Sequence, residues 1–345
     1  MSTSDTVCVT GASGFVGSQI VADLLAQGYT VRGTVRDPSK AEKYSFLTEL
    51  PGAADHLSLH KGQLLEEGSF DEALQGCDAC IHTASPYVMD VKDPQKDLVD
   101  PAVEGTRNVL NAALKAGVSR VVVTSSMAAI TDEPEADHVL TEEDWNEKST
   151  LTRNPYYLSK AEAERAAWKM AEDHPELDLV VINPYVIMGP SISASLNTSN
   201  KILVDLLSGE YPGIISITWG IVDVRDVSRA HILAMENGDA SGRFICVEHQ
   251  VPMEEVVKTL KEGGYDEGYK LPSLNMACSF GDYAVKLLSY FQPGGTGSYL
   301  RTHVGRVPQF DSTKSKKVLD LTYRPIQETL LETVEDLKKW GHLKG

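Results

Sequence analysis

Through the first half of the chain, short apolar and β-branched runs alternate with longer stretches of helical spacing. Val7-Cys-Val-Thr10 reads as a buried strand. Apolar positions follow at Val16, Ile20, Leu24 and Leu25, one face of a helix, and Gly28 stands where its stop falls. Tyr29 to Val35 predicts a second strand, Leu57 to His60 a third, Cys80 to Ala84 a fourth, Val121 to Ser125 a fifth and Leu179 to Asn183 a sixth. Val103 to Ala116 and Ala161 to Asp173 carry the helical period between them. Repeated βα units of this kind predict an α/β fold, a doubly wound parallel sheet of Rossmann type covered by helices on both faces. Beyond Pro184 the rhythm loosens, with Pro, Gly and Ser frequent in 189–220 and 263–300, and Arg243 to Val247 reads as one further strand. The division this predicts is a nucleotide-binding unit of 1–184 plus 222–248. A smaller, mostly helical C-terminal lobe of 185–221 plus 249–345 would hold the substrate.

Composition narrows the function. The 345 residues carry 32 Lys and Arg against 49 Asp and Glu, a formal charge of −17. Such an acidic surface repels phosphate backbones and anionic lipid, so no nucleic-acid or membrane partner is expected. No apolar run reaches membrane-spanning length, Met1 to Thr6 lacks a signal-like core, and five Cys is an odd number for a disulfide framework. The expectation is a cytoplasmic enzyme, monomer or homodimer, acting on a small molecule. Cys77-Asp-Ala-Cys80 has no second pair or histidine cluster, so no metal is expected there or elsewhere. His82 reads as an interior histidine near the cofactor, and His231 and Trp168 as packing. Asp223 and Asp226 read as backbone or cap partners, and the acidic run Asp132–Asp144 as a solvated loop near the substrate entrance.

The chemistry begins between the first strand and its helix. Thr10-Gly-Ala-Ser-Gly-Phe-Val-Gly17 places Gly11, Gly14 and Gly17 where a tight turn, a close pyrophosphate and close helix packing each exclude a side chain. Ser13, Gly14, Phe15 and Val16 lead into a helix N-terminus that offers N–H groups and the positive dipole end to phosphate. An NAD site wants Asp or Glu at the end of the second strand. Here the sequence has Arg32 and Arg36, which predict a clamp on a 2′-phosphate and hence NADP(H).

Tyr156 and Lys160 stand one helical turn apart, with Asn154 read as N-cap and Pro155 as first helical residue. A cation beside a phenol lowers its pKa from near 10 toward a useful range, so Tyr156 can give a proton to a carbonyl oxygen while Lys160 tunes it. A serine hydroxyl at the end of the fifth strand, from Ser125-Ser126, completes the set by bonding that oxygen.

These residues together resemble the extended short-chain dehydrogenase/reductase family. The likeness is to its branch of plant dihydroflavonol and cinnamoyl-CoA reductases and fungal methylglyoxal (ketone) reductases. It is carried by Thr10 to Gly17, Tyr29 to Arg36, Glu67 to Ala73, Val122 to Ser126, Tyr156 to Lys160, Ala166 to Trp168, Asn183-Pro184, Gly189-Pro190, Val222 to Val227 and Tyr323 to Pro325. The resemblance implies a catalytic triad of Ser126 (the second of the pair), Tyr156 and Lys160, with NADPH/NADP+ as cofactor. It implies cofactor contacts from Thr83, Ala84 and Ser85, from Thr124, and from Pro184, Val186 and Ile187 beside the nicotinamide. Gln63-Leu64 stands where the family carries Asp-Leu for adenine. Pro86 and Thr131 join Ser126 and Tyr156 as candidate substrate contacts, Thr131 standing where dihydroflavonol reductases have Asn. The activity implied is reduction of an aldehyde or ketone by hydride from NADPH, with tyrosine as proton donor. NAD-using epimerases, dehydratases and 3β-hydroxysteroid dehydrogenases are the enzymatic alternative. A dinucleotide sensor is the non-catalytic one, and such proteins tend to lose the Tyr–Lys pair.

Overall fold

A computed structural model describes residues 5–85 and 90–343; Pro86 lies outside the described residues. The strands among them are, in chain order, β1 (Thr6–Thr10), β2 (Thr30–Val35), β3 (Leu57–Lys61), β4 (Ala79–His82), β5 (Arg120–Thr124), β6 (Val139–Leu140), β7 (Asp178–Pro184), β8 (Val186–Met188), β9 (Thr218–Asp223), β10 (Gly242–Cys246), β11 (His249–Pro252) and β12 (Gln309–Phe310). Seven of these make one sheet in the order β10-β7-β5-β4-β1-β2-β3, and every pairing within it is parallel. The predicted doubly wound sheet is therefore the fold. Its order reverses between β1 and β4, and that is where a parallel sheet opens a crevice at its carboxyl ends.

The apolar runs of β1, β4, β5 and β7 are explained by helices on both faces. On one side the Phe15–Ala26 and Val224–Glu236 helices bury Ile20, Leu24, Val227 and Met235 against Val7, Val9 and Val31. On the other, the Asp100–Ala116 and Pro155–Asp173 helices bury Val109, Leu110 and Ala167 with Cys8, Cys80 and Val121. Cys77 lies in the same apolar cluster as a free thiol.

The second lobe carries more strand than its sequence predicts. β8, β9 and β11 form a three-stranded sheet, and Trp219, Leu206, Val257 and Leu330 close a separate core around it. These strands are brief and hold no alternating stretch long enough to read. Val222 and Asp223 finish β9 of the smaller sheet, while the Val222 side chain packs in the core of the large one, which the helix after them and β10 also join. β4 stops at His82, so Thr83 and Ala84 lie in the loop beyond it. No helix among the described residues is long and apolar enough to cross a membrane.

Candidate active site

The parallel register brings strand ends together: Thr10 pairs with His82, His82 with Val123, and Thr124 with Ile182. The glycine loop therefore starts beside the end of β4. Thr10 makes the joint, its Oγ1 lying 2.7 Å from His82 Nδ1 and accepting from the Ala84 N–H, while Thr83 Oγ1 donates to the Thr10 carbonyl at 2.7 Å. Burial holds His82 neutral, pushing its pKa down to about 3 with help from the Lys160 charge. Gly11 has φ +68, a left-handed conformation that favours glycine, and a Cβ there would press on the Ala84 backbone at 3.0 Å. A Cβ on Gly17 would collide with the Gly11 carbonyl. The Phe15–Ala26 helix then begins at Gly14 with no side chain capping it. Gly14 is exposed and Ser13, Phe15 and Val16 are half-buried, and a helix N-terminus without a side-chain cap has first-turn N–H groups suited to phosphate.

β2 lies on the other side of the loop, where the Gly11 and Ala12 N–H groups donate to Thr34. The two arginines part company here. Arg32 sits mid-strand and donates to the carbonyls of Gln75 at 2.5 Å and Glu72 at 3.4 Å, so its guanidinium serves the end of the short Asp71–Leu74 helix. The two arginines of the expected clamp thus differ in that Arg32 is hydrogen-bonded within the protein. Arg36 is exposed one residue past β2, at the carboxyl edge. Asp37 beside it accepts from Ser39, and Lys40 lies 3.4 Å from its carboxylate. Lys40, unremarked in the sequence, adds a second cation to that turn. Gln63 is exposed and bonds Glu66, while Leu64 packs against Gly105.

Tyr156, half-buried, and Lys160, 8% exposed, project from the first turns of the Pro155–Asp173 helix. Lys160 Nζ lies 5.8 Å from the Tyr156 ring centre and donates to Ser85 Oγ at 3.0 Å. Burial pulls the Lys160 pKa down to about 8, and the carboxylate of Glu164 works against that fall. Pro155 is the first helical residue as read, but Asn154 does not cap. It sits at φ 48 and sends its side-chain amide to buried Asp132 and to Thr302, while its backbone N–H donates to Ser298. Asp132 is 2% exposed and also binds Arg153, so the solvated acidic loop applies only to residues further on, such as 135–139.

At the end of β5 the two serines differ. Ser125 donates to Glu164 Oε2, whereas Ser126 Oγ accepts from the Ala128 N–H at 3.1 Å and keeps its proton from that carboxylate. Thr124 Oγ1 meets His231 Nε2 at 2.7 Å. His231 Nδ1 faces the Val227 carbonyl, which can only accept, so Nε2 of the neutral ring accepts from Thr124. His231 is thus more than packing, and so is Trp168, whose indole N–H donates to Glu164. Asp223 caps the Val224–Glu236 helix through the Arg225 N–H, and Asp226 accepts from the Arg324 N–H. Pro184 closes β7, with Val186 and Ile187 opening β8 beside it, and Thr131 is buried with its N–H on the Met127 carbonyl.

The sequence matches the NAD dependent epimerase/dehydratase family over residues 7–246, and the chain belongs to that family. Cinnamoyl-CoA reductase CAD2 of Medicago truncatula is 40% identical over 342 residues, covering 96% of this chain and 95% of that protein. Gre2 in complex with NADPH from Candida albicans matches with a TM-score of 0.80 at 32% identity, over 97% of this chain and 99% of that one. Yeast methylglyoxal/isovaleraldehyde reductase Gre2 complexed with NADPH matches with a TM-score of 0.78 at 29% identity, over 98% and 100%.

Proposed function

We propose that this member of the epimerase/dehydratase family is an NADPH-dependent reductase of aldehydes or ketones, with Tyr156 as proton donor. The observation that carries the reading is Lys160, a buried ammonium beside the Tyr156 ring, on the same sheet edge as an uncapped glycine-loop helix. Bound NADPH supplies the hydride. Gly11, Gly14 and Gly17 leave room for its pyrophosphate, and the N–H groups after Gly14 hold the charge. Arg36, whose neighbour Asp37 already engages Ser39 and Lys40, favours the 2′-phosphate over the bare ribose of NAD. Tyr156 gives its phenolic proton to the substrate oxygen as the carbonyl carbon is reduced. Lys160 favours the phenolate left behind, and the Ser126 hydroxyl bonds the developing negative charge. Thr124, Pro184, Val186 and Ile187 shape the floor under the nicotinamide. The lobe of 185–221 plus 249–345 supplies the substrate wall. Relatives named for cinnamoyl-CoA and for methylglyoxal and isovaleraldehyde support carbonyl reduction as the reaction class. The test is an NADPH-oxidation screen over aldehydes, α-dicarbonyls, aryl ketones and dihydroflavonols. Turnover with at least one class is expected, and none with any would overturn the reading.

A further inference from the structure

We infer that Glu164, paired with Arg243, is a positioning residue that fixes the serine turn at 125–126 against the helix carrying Tyr156 and Lys160. The inference rests on the reductase reading and adds a residue to its machinery. Glu164 is 1% exposed, and its carboxylate is fully engaged. Oε2 takes the Ser125 hydroxyl and the Asn183 amide at 2.8 Å. Oε1 takes Arg243 Nε at 2.6 Å and the Trp168 indole N–H at 3.2 Å. The same Asn183 amide reaches the Ser126 carbonyl at 3.2 Å. One side chain thus ties together the ends of β5 and β7, a residue of β10 and the Tyr156 helix.

Two physical points make this more than packing. Burying a carboxylate and a guanidinium strips both of water before their attraction offsets the loss, and an apolar pair would fill the space at less cost. What the charged pair adds is direction, because four donors on one carboxylate fix both the serine turn and the helix face. Glu164 is also one turn beyond Lys160. Among the described residues, the groups near that ammonium are Tyr156 and Glu164 from its own helix, with His82 at the end of β4 and Ser85 in the loop after it, and Glu164 is the carboxylate among them. Arg243 in turn donates to the carbonyls of Glu142 and Asp144 and lies 4.1 Å from the Trp145 ring, extending the bracing to the 142–145 loop.

The experiment uses the full chain carrying Glu164→Gln, with Ser125→Ala as a milder companion that removes a single bond. A misplaced triad costs turnover rather than cofactor binding, so kcat should fall about 10- to 100-fold. NADPH affinity, read by fluorescence titration, should stay within about threefold. The isotope effect with C4-deuterated NADPH should rise, and the high-pH limb of kcat/KM should move to lower pH as Lys160 loses its neighbouring carboxylate. A purely structural role would not move those last two readouts. Folded Glu164→Gln with kcat within about twofold of the parent and an unmoved pH limb overturns the inference, as does a loss of NADPH binding that matches the loss of kcat. Should Glu164→Gln fail to fold, Ser125→Ala decides: a several-fold fall in kcat at constant NADPH affinity supports the assignment, and parental turnover overturns it. An unmutated chain inactive on every carbonyl defeats the reductase reading itself. An active one indifferent to Glu164 defeats only this inference.

Discussion

Replacing Arg36 with Asp tests the cofactor and separates Arg36, just past β2, from Arg32 within it. Arg36 is exposed at the carboxyl edge, so each charge-assisted bond it gives a 2′-phosphate is weakened by water to about 1 kcal/mol. A bidentate fork makes two such bonds. Reversing the charge adds a repulsion of about 1 kcal/mol at 4 Å in a watery dielectric. The total of about 3 kcal/mol is roughly a 150-fold rise in the KM for NADPH. NADH lacks the phosphate, so its KM should change by less than about threefold. Arg32→Ala is the internal control, because that side chain is spent on the Glu72 and Gln75 carbonyls. It should lower the thermal midpoint and leave the NADPH-to-NADH preference alone. Initial-rate measurements with both nucleotides decide the matter. Equal effects of Arg36→Asp on the two, or an Arg32→Ala variant that loses NADPH preference as strongly, would refute the assignment.

Three further outcomes are expected. Tyr156→Phe should lower kcat by about 100- to 10,000-fold with NADPH affinity nearly intact, and normal turnover on the best carbonyl substrate would end the proton-donor role. Lys160→Met should raise the thermal midpoint while turnover collapses: at neutral pH the buried ammonium, its pKa lowered to about 8, costs about 3 kcal/mol that is relieved only as pH rises through 8 toward 10.5. A destabilised Lys160→Met protein would contradict that account. Below pH 6.5 the fold should weaken, because burial holds His82, His231 and His303 at about 3, 4 and 3, so the unfolded chain takes up protons first. Asp226, raised to about 6 by burial, offsets one of the three, leaving about 3 kcal/mol per pH unit between about pH 6 and 4.5, and a urea midpoint flat over that range would count against it.

What the sequence disclosed was what is local. The strand of Val7 to Thr10, the helix after it and the glycines between them obey periods of a few residues, and the structure keeps them within a residue or two. Tyr156 and Lys160 share a helix, so their proximity was legible as spacing. Arg32 was not, because nothing near it in sequence says that the Asp71–Leu74 helix ends beside its guanidinium. Asn154 read as a cap on residue type alone, yet its left-handed backbone turns the side chain to Asp132 and Thr302, the latter 148 residues away in sequence. Nothing local in the sequence distinguishes Glu164 from any charge one turn after a lysine. The partner that gives it meaning, Arg243, is 79 residues on and arrives only when β10 joins the sheet.

The distribution of buried charge follows from the same topology. A parallel sheet sends every strand end to one edge, and there the chain runs out of backbone ladder and must satisfy polar groups with side chains. At that edge Lys160, Glu164 and Asp132 are each under 10% exposed, and the equally buried Arg243 reaches Glu164 from the second position of β10. At the opposite edge Arg120, at the start of β5, pairs with an Asp178 that is half in solvent, and its remaining bonds go to the carbonyls of Ala234 and Asn237. Stability alone does not ask for an ammonium whose pKa is depressed by burial, since an apolar side chain would fill the space without the desolvation cost. The cost becomes intelligible when the ammonium has a phenol to tune at the mouth of the crevice and a carboxylate behind it to keep it charged. The destabilising charges and the proposed chemistry therefore share one edge, and Glu164 is the residue through which the fold bears that cost.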